Sequence, residues 1–313
     1  MQRPTRIGSV GLFMVALGSG LLFESDAEAY CRTTTSSHCA DCPRDPVTGC
    51  SLTGVPVSWS SSCLSFSIDP NAVSAQVGEE AARRMLRAAF DTWQNVQCPP
   101  NGLPPSLHVD SRFGDTFCAR VEYNPDQGNA NAILFREGEW PYYDSGQPLA
   151  TTSVRYDEAT GQLLDADMEI NASNPLNVDS TQSKSLELRW DLQSILTHEA
   201  GHFLGLDHSR VPGSIMKFSI QPLEISRTLG QDDVDAICAL YPPDAPAACE
   251  PEPRGGFSPL CGMDPTSGGA CAVAQPRERP GAESSALGGL VLMLAGCFVH
   301  RRRARDSRGR RRV

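Results

Sequence analysis

Histidine is scarce in this chain, with six residues in 313. Outside one short stretch only His38, His108 and His300 remain, too dispersed to form a second metal cluster. Paired Cys-x-x-Cys motifs are missing too. Cys39-Ala-Asp-Cys42 stands alone, which argues against a zinc ribbon. No internal repeat occurs, and no propeller-like targeting module follows the central part of the chain. Basic charge is thin once the ends are set aside. Residues 1–29 and 282–313 hold ten of the 27 basic and five of the 37 acidic residues, so residues 30–281 carry 17 against 32, a net charge of −15. That balance argues against nucleic acid and anionic lipid headgroups as partners. Uninterrupted apolar runs are short as well. The longest, residues 286–299, falls below the roughly 20 residues of a comfortable membrane span.

What is present is concentrated between Thr197 and Ser209, which read Thr-His-Glu-Ala-Gly-His-Phe-Leu-Gly-Leu-Asp-His-Ser. On a helix, residues four apart share a face, so His198 and His202 can hold one ion, with Glu199 projecting beside them. Gly205 can adopt the left-handed conformation that ends a helix, letting the chain return His208 as a third nitrogen. Three neutral imidazoles with one open position describe a catalytic zinc site, since a structural zinc would be closed by a fourth protein ligand. Zinc lowers the pKa of bound water to about 7, and Glu199 is placed to take a proton from that water and pass it to a leaving amine. Peptide-bond hydrolysis suits this set. A zinc-binding adhesion protein and a hydrolase of non-peptide amides are the alternatives, and Glu199 argues against the first.

The same residues resemble the metzincin metalloproteases. In that family the motif is followed by a methionine turn, for which Ser214-Ile215-Met216, ending eight residues after His208, is well placed. Gly201 before His202 and Ser209 after His208 look like the matrixin branch, and residues 229–241 are similar to its last helix. Residues 130–135 and 165–170 resemble two of its strands. The resemblance covers residues 55–243 and implies an α+β domain: a twisted mixed sheet, an active-site helix and a C-terminal helix. It implies zinc on His198, His202 and His208, Glu199 as general base, and Met216 beneath the site. It further implies that the loop from Lys217 onward, Phe218 included, walls the pocket for the residue after the scissile bond. Two departures stand out. The chain has no cluster for a second, structural zinc, and no Pro-Arg-Cys-Gly cysteine switch; Cys42-Pro43-Arg44 is not that motif.

The surrounding segments suggest export. Arg3 and Arg6, an apolar run over residues 10–23 and Ala27-Glu28-Ala29 form a signal peptide over residues 1–29. Twelve cysteines in an exported chain mean disulfides. Setting aside Cys271 and Cys297 leaves ten, an even number for five bridges. Residues 30–54 form a short Cys-rich segment, residues 55–243 the catalytic domain, and residues 244–285 a Pro/Gly-rich linker in which Cys249 and Cys261 can close a loop. Residues 286–313, an apolar stretch followed by eight arginines, resemble a myxobacterial-type sorting tail with Cys271 ahead of it; a permanent membrane anchor is the alternative. A monomer at the outer cell surface or secreted, acting on protein or peptide substrates, is the expectation.

Within the domain, residues 62–68 alternate as a half-buried strand, and Ser74 caps a helix running to about Gln97. Leu107 and Val109 face a core that leaves His108 outside. Residues 149–156 and 163–170 form a hairpin. Asp165, Asp167 and Glu169 line one face of its second strand, as an exposed acidic edge or, alternatively, a calcium site. Asn171-Ala-Ser173 is a glycosylation sequon. Asp191 caps the histidine helix, which runs to Leu204.

Overall fold

The computed structural model describes residues 30–37, 39–118, 120–138, 140–142, 148–178, 189–245 and 248–260. The proposed signal peptide, the sorting tail with Cys271 and Cys297, and Cys261 lie outside these residues. Among the described residues no helix is long and apolar enough to cross a membrane.

The architecture is α+β. The chain runs β1 (Cys63–Ser65), β2 (Ser67–Ile68), α1 (Glu79–Gln94), β3 (His108–Asp110), β4 (Ala132–Arg136), β5 (Ala150–Tyr156), β6 (Leu163–Asn171), β7 (Leu176–Asn177), β8 (Trp190–Asp191), α2 (Leu192–Phe203) and α3 (Gln231–Leu240). The central sheet has the order β2-β4-β6-β5. Its first three strands are parallel and β5 is antiparallel, which leaves β5 at an edge with no further strand beside it among the described residues. The β5–β6 hairpin is the one expected from residues 149–170, turning through Gly161 at φ 74°.

Period-two alternation decides which side chains meet the helices. Ile133 and Phe135 of β4 join Ala166, Met168 and Ile170 of β6 in the main core, where α1 contributes Leu86, Phe90 and Trp93 and α2 contributes Leu196, Ala200 and Phe203. Phe90 stacks on Phe66 at 5.0 Å and meets Phe203 edge-on at 5.1 Å, so one aromatic row runs from the first strands through α1 into α2. Trp93 donates Nε1–H to Thr197 O at 2.8 Å, tying the two helices together by a buried polar contact.

Several local expectations need correcting. Residues 63–68 are buried on both faces, because Ser65 and Ser67 are covered as well. The Ser65 hydroxyl donates to Pro251 O, and Ser67 N–H donates to Asn131 O. Ser74 does not cap α1; Gly78 does, while Ser74 closes a preceding turn and donates to Glu137. Glu79 and Glu80 do pair with Arg83 and Arg84 on the outer face of α1. His108 is exposed between buried Leu107 and Val109, as expected.

The acidic face of β6 is not an exposed edge. β6 is an interior strand, and Asp165, Asp167 and Glu169 are 2%, 3% and 1% exposed. Segments around residues 116–131 and 248–260 cover that face. Asp167 accepts from Ala132 N–H and Glu122 N–H, while Glu169 pairs with Arg136 and Tyr142. Nor do residues 248–260 form a free linker. Cys249 is bonded to Cys63 rather than closing a loop with Cys261, and Asn129 N–H donates to Gly256 O. Cys31–Cys50, Cys39–Cys42 and Cys98–Cys238 are the other bridges between described residues.

Candidate metal centre and cleft

Helix α2 begins where sequence logic places it. Asp191 accepts from Ser194 N–H at 3.0 Å and from the Ser194 hydroxyl at 2.8 Å, and Arg227 pairs with the same carboxylate. One turn apart on the cleft face stand His198 and His202. His198 Nδ1 lies 2.8 Å from Ile215 O, and His202 Nδ1 lies 2.9 Å from Leu206 O. A carbonyl can only accept, so both Nδ1 atoms carry the proton and both Nε2 atoms present lone pairs.

The helix stops at Leu204, and Gly205 takes φ 99°. Gly205 N–H and Leu206 N–H then donate back to His202 O and Gly201 O, the left-handed cap that reverses the chain. No side chain fits there, because a Cβ on Gly205 would lie 2.2 Å from Val57 O. The reversal carries His208 to the histidine pair. His202 Nε2 sits 3.1 Å from His198 Nε2 and 3.2 Å from His208 Nε2. Burial, followed by the neighbouring His202, holds His198 well below the ordinary imidazole range and His208 at about 4. Neutral lone pairs packed this closely repel unless a cation sits among them. Two ligands of a tetrahedral zinc at its usual bond length lie about 3.3 Å apart, so the donor set and its spacing fit that ion. Among the described residues these three histidines are the group of metal-ligating side chains close enough to share one.

The turn at Met216 supports the helix from below. Met216 is buried, and a Cβ on Gly201 would fall 2.3 Å from its sulfur, so α2 and the turn are in direct contact. Asp233 of α3, not singled out in the sequence, anchors this turn by accepting from the Ser214 hydroxyl at 2.5 Å and Ile215 N–H at 2.8 Å. Its local signal is weak, because Asp232 and Asp235 stand beside it with the same chemistry.

Glu199 is buried, and burial raises its carboxyl above the usual range. Its Oε2 accepts from the Thr152 hydroxyl at 2.6 Å. Thr152 is the second residue that sequence reasoning did not single out, since nothing in a run such as Ala150-Thr-Thr-Ser marks one threonine. It sits on β5, the edge strand.

A cleft of about 840 Å³ opens over this constellation. β5 forms one side, and Lys217, Phe218 and Ile220 of the loop after Met216 form part of another. Phe218 is 82% exposed and meets the His208 ring edge-on at 5.1 Å. A further wall, absent from the sequence expectations, comes from Thr33, Ser37 and Arg44 of the Cys-rich segment.

The α+β layout, the histidine helix with its glycine reversal and the methionine turn together define a metzincin-like fold. Comparison with known proteins narrows the class: residues 123–242 match the matrixin family model. The chain is 26% identical to metalloendoproteinase 1-MMP of Arabidopsis thaliana over 186 residues, covering 59% of this chain and 45% of the relative. It is 39% identical over 178 residues to metalloendoproteinase 4-MMP of the same plant, covering 57% and 45%. Matrix metalloproteinase-16 of Mus musculus is 27% identical over 188 residues, covering 59% and 28%. The chain thus spans less than half the length of these relatives, and its fold is matrixin-like.

Proposed function

We propose that the protein is a zinc-dependent endopeptidase. The observation that carries this is the triple convergence of His198, His202 and His208 Nε2 atoms beside a buried, hydrogen-bonded Glu199. These three histidines would hold the ion, which when bound supplies a Lewis acid and an activated water at neutral pH. Glu199 takes the proton from the attacking water and delivers it to the leaving amine, and burial, which raises its carboxyl pKa, makes it a stronger base than an exposed carboxylate. Thr152 fixes which carboxylate oxygen is free for that task. The edge of β5, unpaired among the described residues, offers backbone donors and acceptors to an extended peptide, which would add as a strand beside the site. Met216 holds the floor, and Phe218 with its neighbours walls the side-chain pocket.

Export belongs to the same proposal: residues 1–29 as signal peptide and residues 286–313 as sorting tail or anchor. The disulfides favour an oxidising compartment. The partners are protein or peptide substrates met at the outer surface by a monomer, and calcium remains the second ion to test.

The test is proteolysis of a mixed peptide library by the zinc-loaded protein beside its Glu199→Gln variant. Cleavage by the parent alone, abolished by a chelator, is the expected result. Zinc bound by both proteins with no peptide cut by either would overturn the assignment.

A further inference from the structure

Residues 30–54 bring a charge into the cleft that the hydrolytic machinery does not use. The segment is held firmly. Cys31–Cys50 closes it, Thr34 N–H donates to the Ser37 hydroxyl at 2.8 Å, and the Thr34 hydroxyl donates to Thr53 O at 2.8 Å. It is also docked on the loop that carries His208. Thr33 N–H donates to Gly205 O at 2.9 Å, the Thr33 hydroxyl to Leu206 O at 3.1 Å, and Asp207 N–H to Cys31 O at 3.0 Å. Thr33, Ser37 and Arg44 therefore border the same cavity as the histidines.

Arg44 is exposed there, and its guanidinium is oriented by carbonyls of its own loop: Nη1 donates to Gly49 O at 3.1 Å and Nη2 to Ser37 O. Neither contact neutralises it, and among the described residues no carboxylate stands within ion-pair distance. The other cation lining the cleft, Lys217, is already paired with Glu224. An oriented, unneutralised guanidinium at the rim of a peptide-sized cleft matches the planar geometry of a carboxylate.

We propose that Arg44 is a substrate-selecting residue, receiving an aspartate or glutamate side chain of the bound peptide on a wall formed by the disulfide-closed segment. This rests on the endopeptidase assignment. It runs against the overall negative charge of residues 30–281, so the acidic preference is confined to one position along the peptide rather than spread over all of them.

The experiment uses the zinc-loaded protein and peptides in which each position around the scissile bond carries Glu, Gln or Lys in turn. At one position the parent is expected to favour Glu over Gln by about threefold to fivefold in kcat/KM, the span of an exposed ion pair. In Arg44→Ala that ratio falls to about one, and in Arg44→Glu the preference inverts toward Lys. No Glu preference at any position, or one that survives in Arg44→Ala, overturns the proposal. So does loss of preference without inversion in Arg44→Glu, which would mark a displaced loop rather than lost recognition. Binding of the same peptides to the zinc-loaded Glu199→Gln protein, read by fluorescence anisotropy with and without Arg44→Ala, separates the two claims. Arg44-dependent binding of the Glu peptide without cleavage by the parent sinks the peptidase assignment and keeps the Arg44 site; absence of both sinks both.

Discussion

Thr152 and Asp165 show how single side chains carry chemistry that their immediate neighbours in sequence do not announce. Removing the Thr152 hydroxyl frees Glu199 to rotate, so Thr152→Val should lower kcat/KM by about 10–100-fold, in line with other groups that orient reactive side chains. Thr152→Ser should recover much of it. Steady-state kinetics on one peptide, with thermal melts to exclude unfolding, decides the matter. Asp165 presents a different problem: its Oδ1 is buried without a hydrogen-bond partner, and burial, then the Asp167 charge, pushes its pKa well above the ordinary carboxylate range. The fold therefore favours the protonated acid. That contribution is whole below the ordinary carboxylate range and fades as pH rises toward the elevated value. Asp165→Asn cannot ionise, so it should gain stability over the parent by about 1–3 kcal/mol at pH 9 and by little at pH 4. Melting temperatures across that range would show it, and a constant difference would refute it.

At the scale of elements, the reversal after α2 is the critical joint. Gly205→Ala combines a left-handed backbone with a clash against Val57 O at 2.2 Å, and relief requires moving either the strand-like segment at residue 57 or His208 itself. The variant should lose stability by about 1–3 kcal/mol and bind zinc more weakly, seen by denaturant unfolding and by competition with a chromogenic chelator. This joint was legible in the sequence, because the glycine sits where only a reversal can deliver a third histidine. The start of α2 at Asp191 was legible for a similar reason, an acceptor side chain just ahead of an apolar stretch. The start of α1 was not: Ser74 has the better capping chemistry, yet its hydroxyl is taken by Glu137, and Gly78 holds the cap at φ 76°. The acidic stripe on β6 was misread because alternation shows which residues share a face but not what covers it. Here the cover comes from segments around residues 116–131 and 248–260, which carry too few periodic apolar side chains to advertise a packed layer.

For the whole molecule, the three histidines and Glu199 were readable from the thirteen residues Thr197–Ser209, while the boundaries of the folded unit were not. Residues 30–54 and 248–260 are low in periodicity and rich in Cys, Gly and Pro; hydrogen bonds linking Thr33 and Cys31 to residues 205–207 attach the first, and Cys63–Cys249 attaches the second. Cys63–Cys249 spans 186 residues and Cys98–Cys238 spans 140. By chain entropy alone each would contribute about 5 kcal/mol by restraining the unfolded state. Cys98→Ser with Cys238→Ser should accordingly lower the free energy of unfolding by a few kcal/mol, about 2–5 given measured losses in other proteins. Urea titration of the double variant checks this, and an unchanged midpoint would mean the bridge merely decorates a fold already complete.

The same two bridges set the order of events during synthesis. Cys63 and Cys98 leave the ribosome long before their mates, with Cys31, Cys39, Cys42 and Cys50 already emerged and chemically equivalent to them. A chain oxidised as it emerges would pair neighbours first and trap β1 away from its final position. The native molecule is therefore one whose beginning has to wait for its end, and its yield should depend on an isomerase that can undo early pairings.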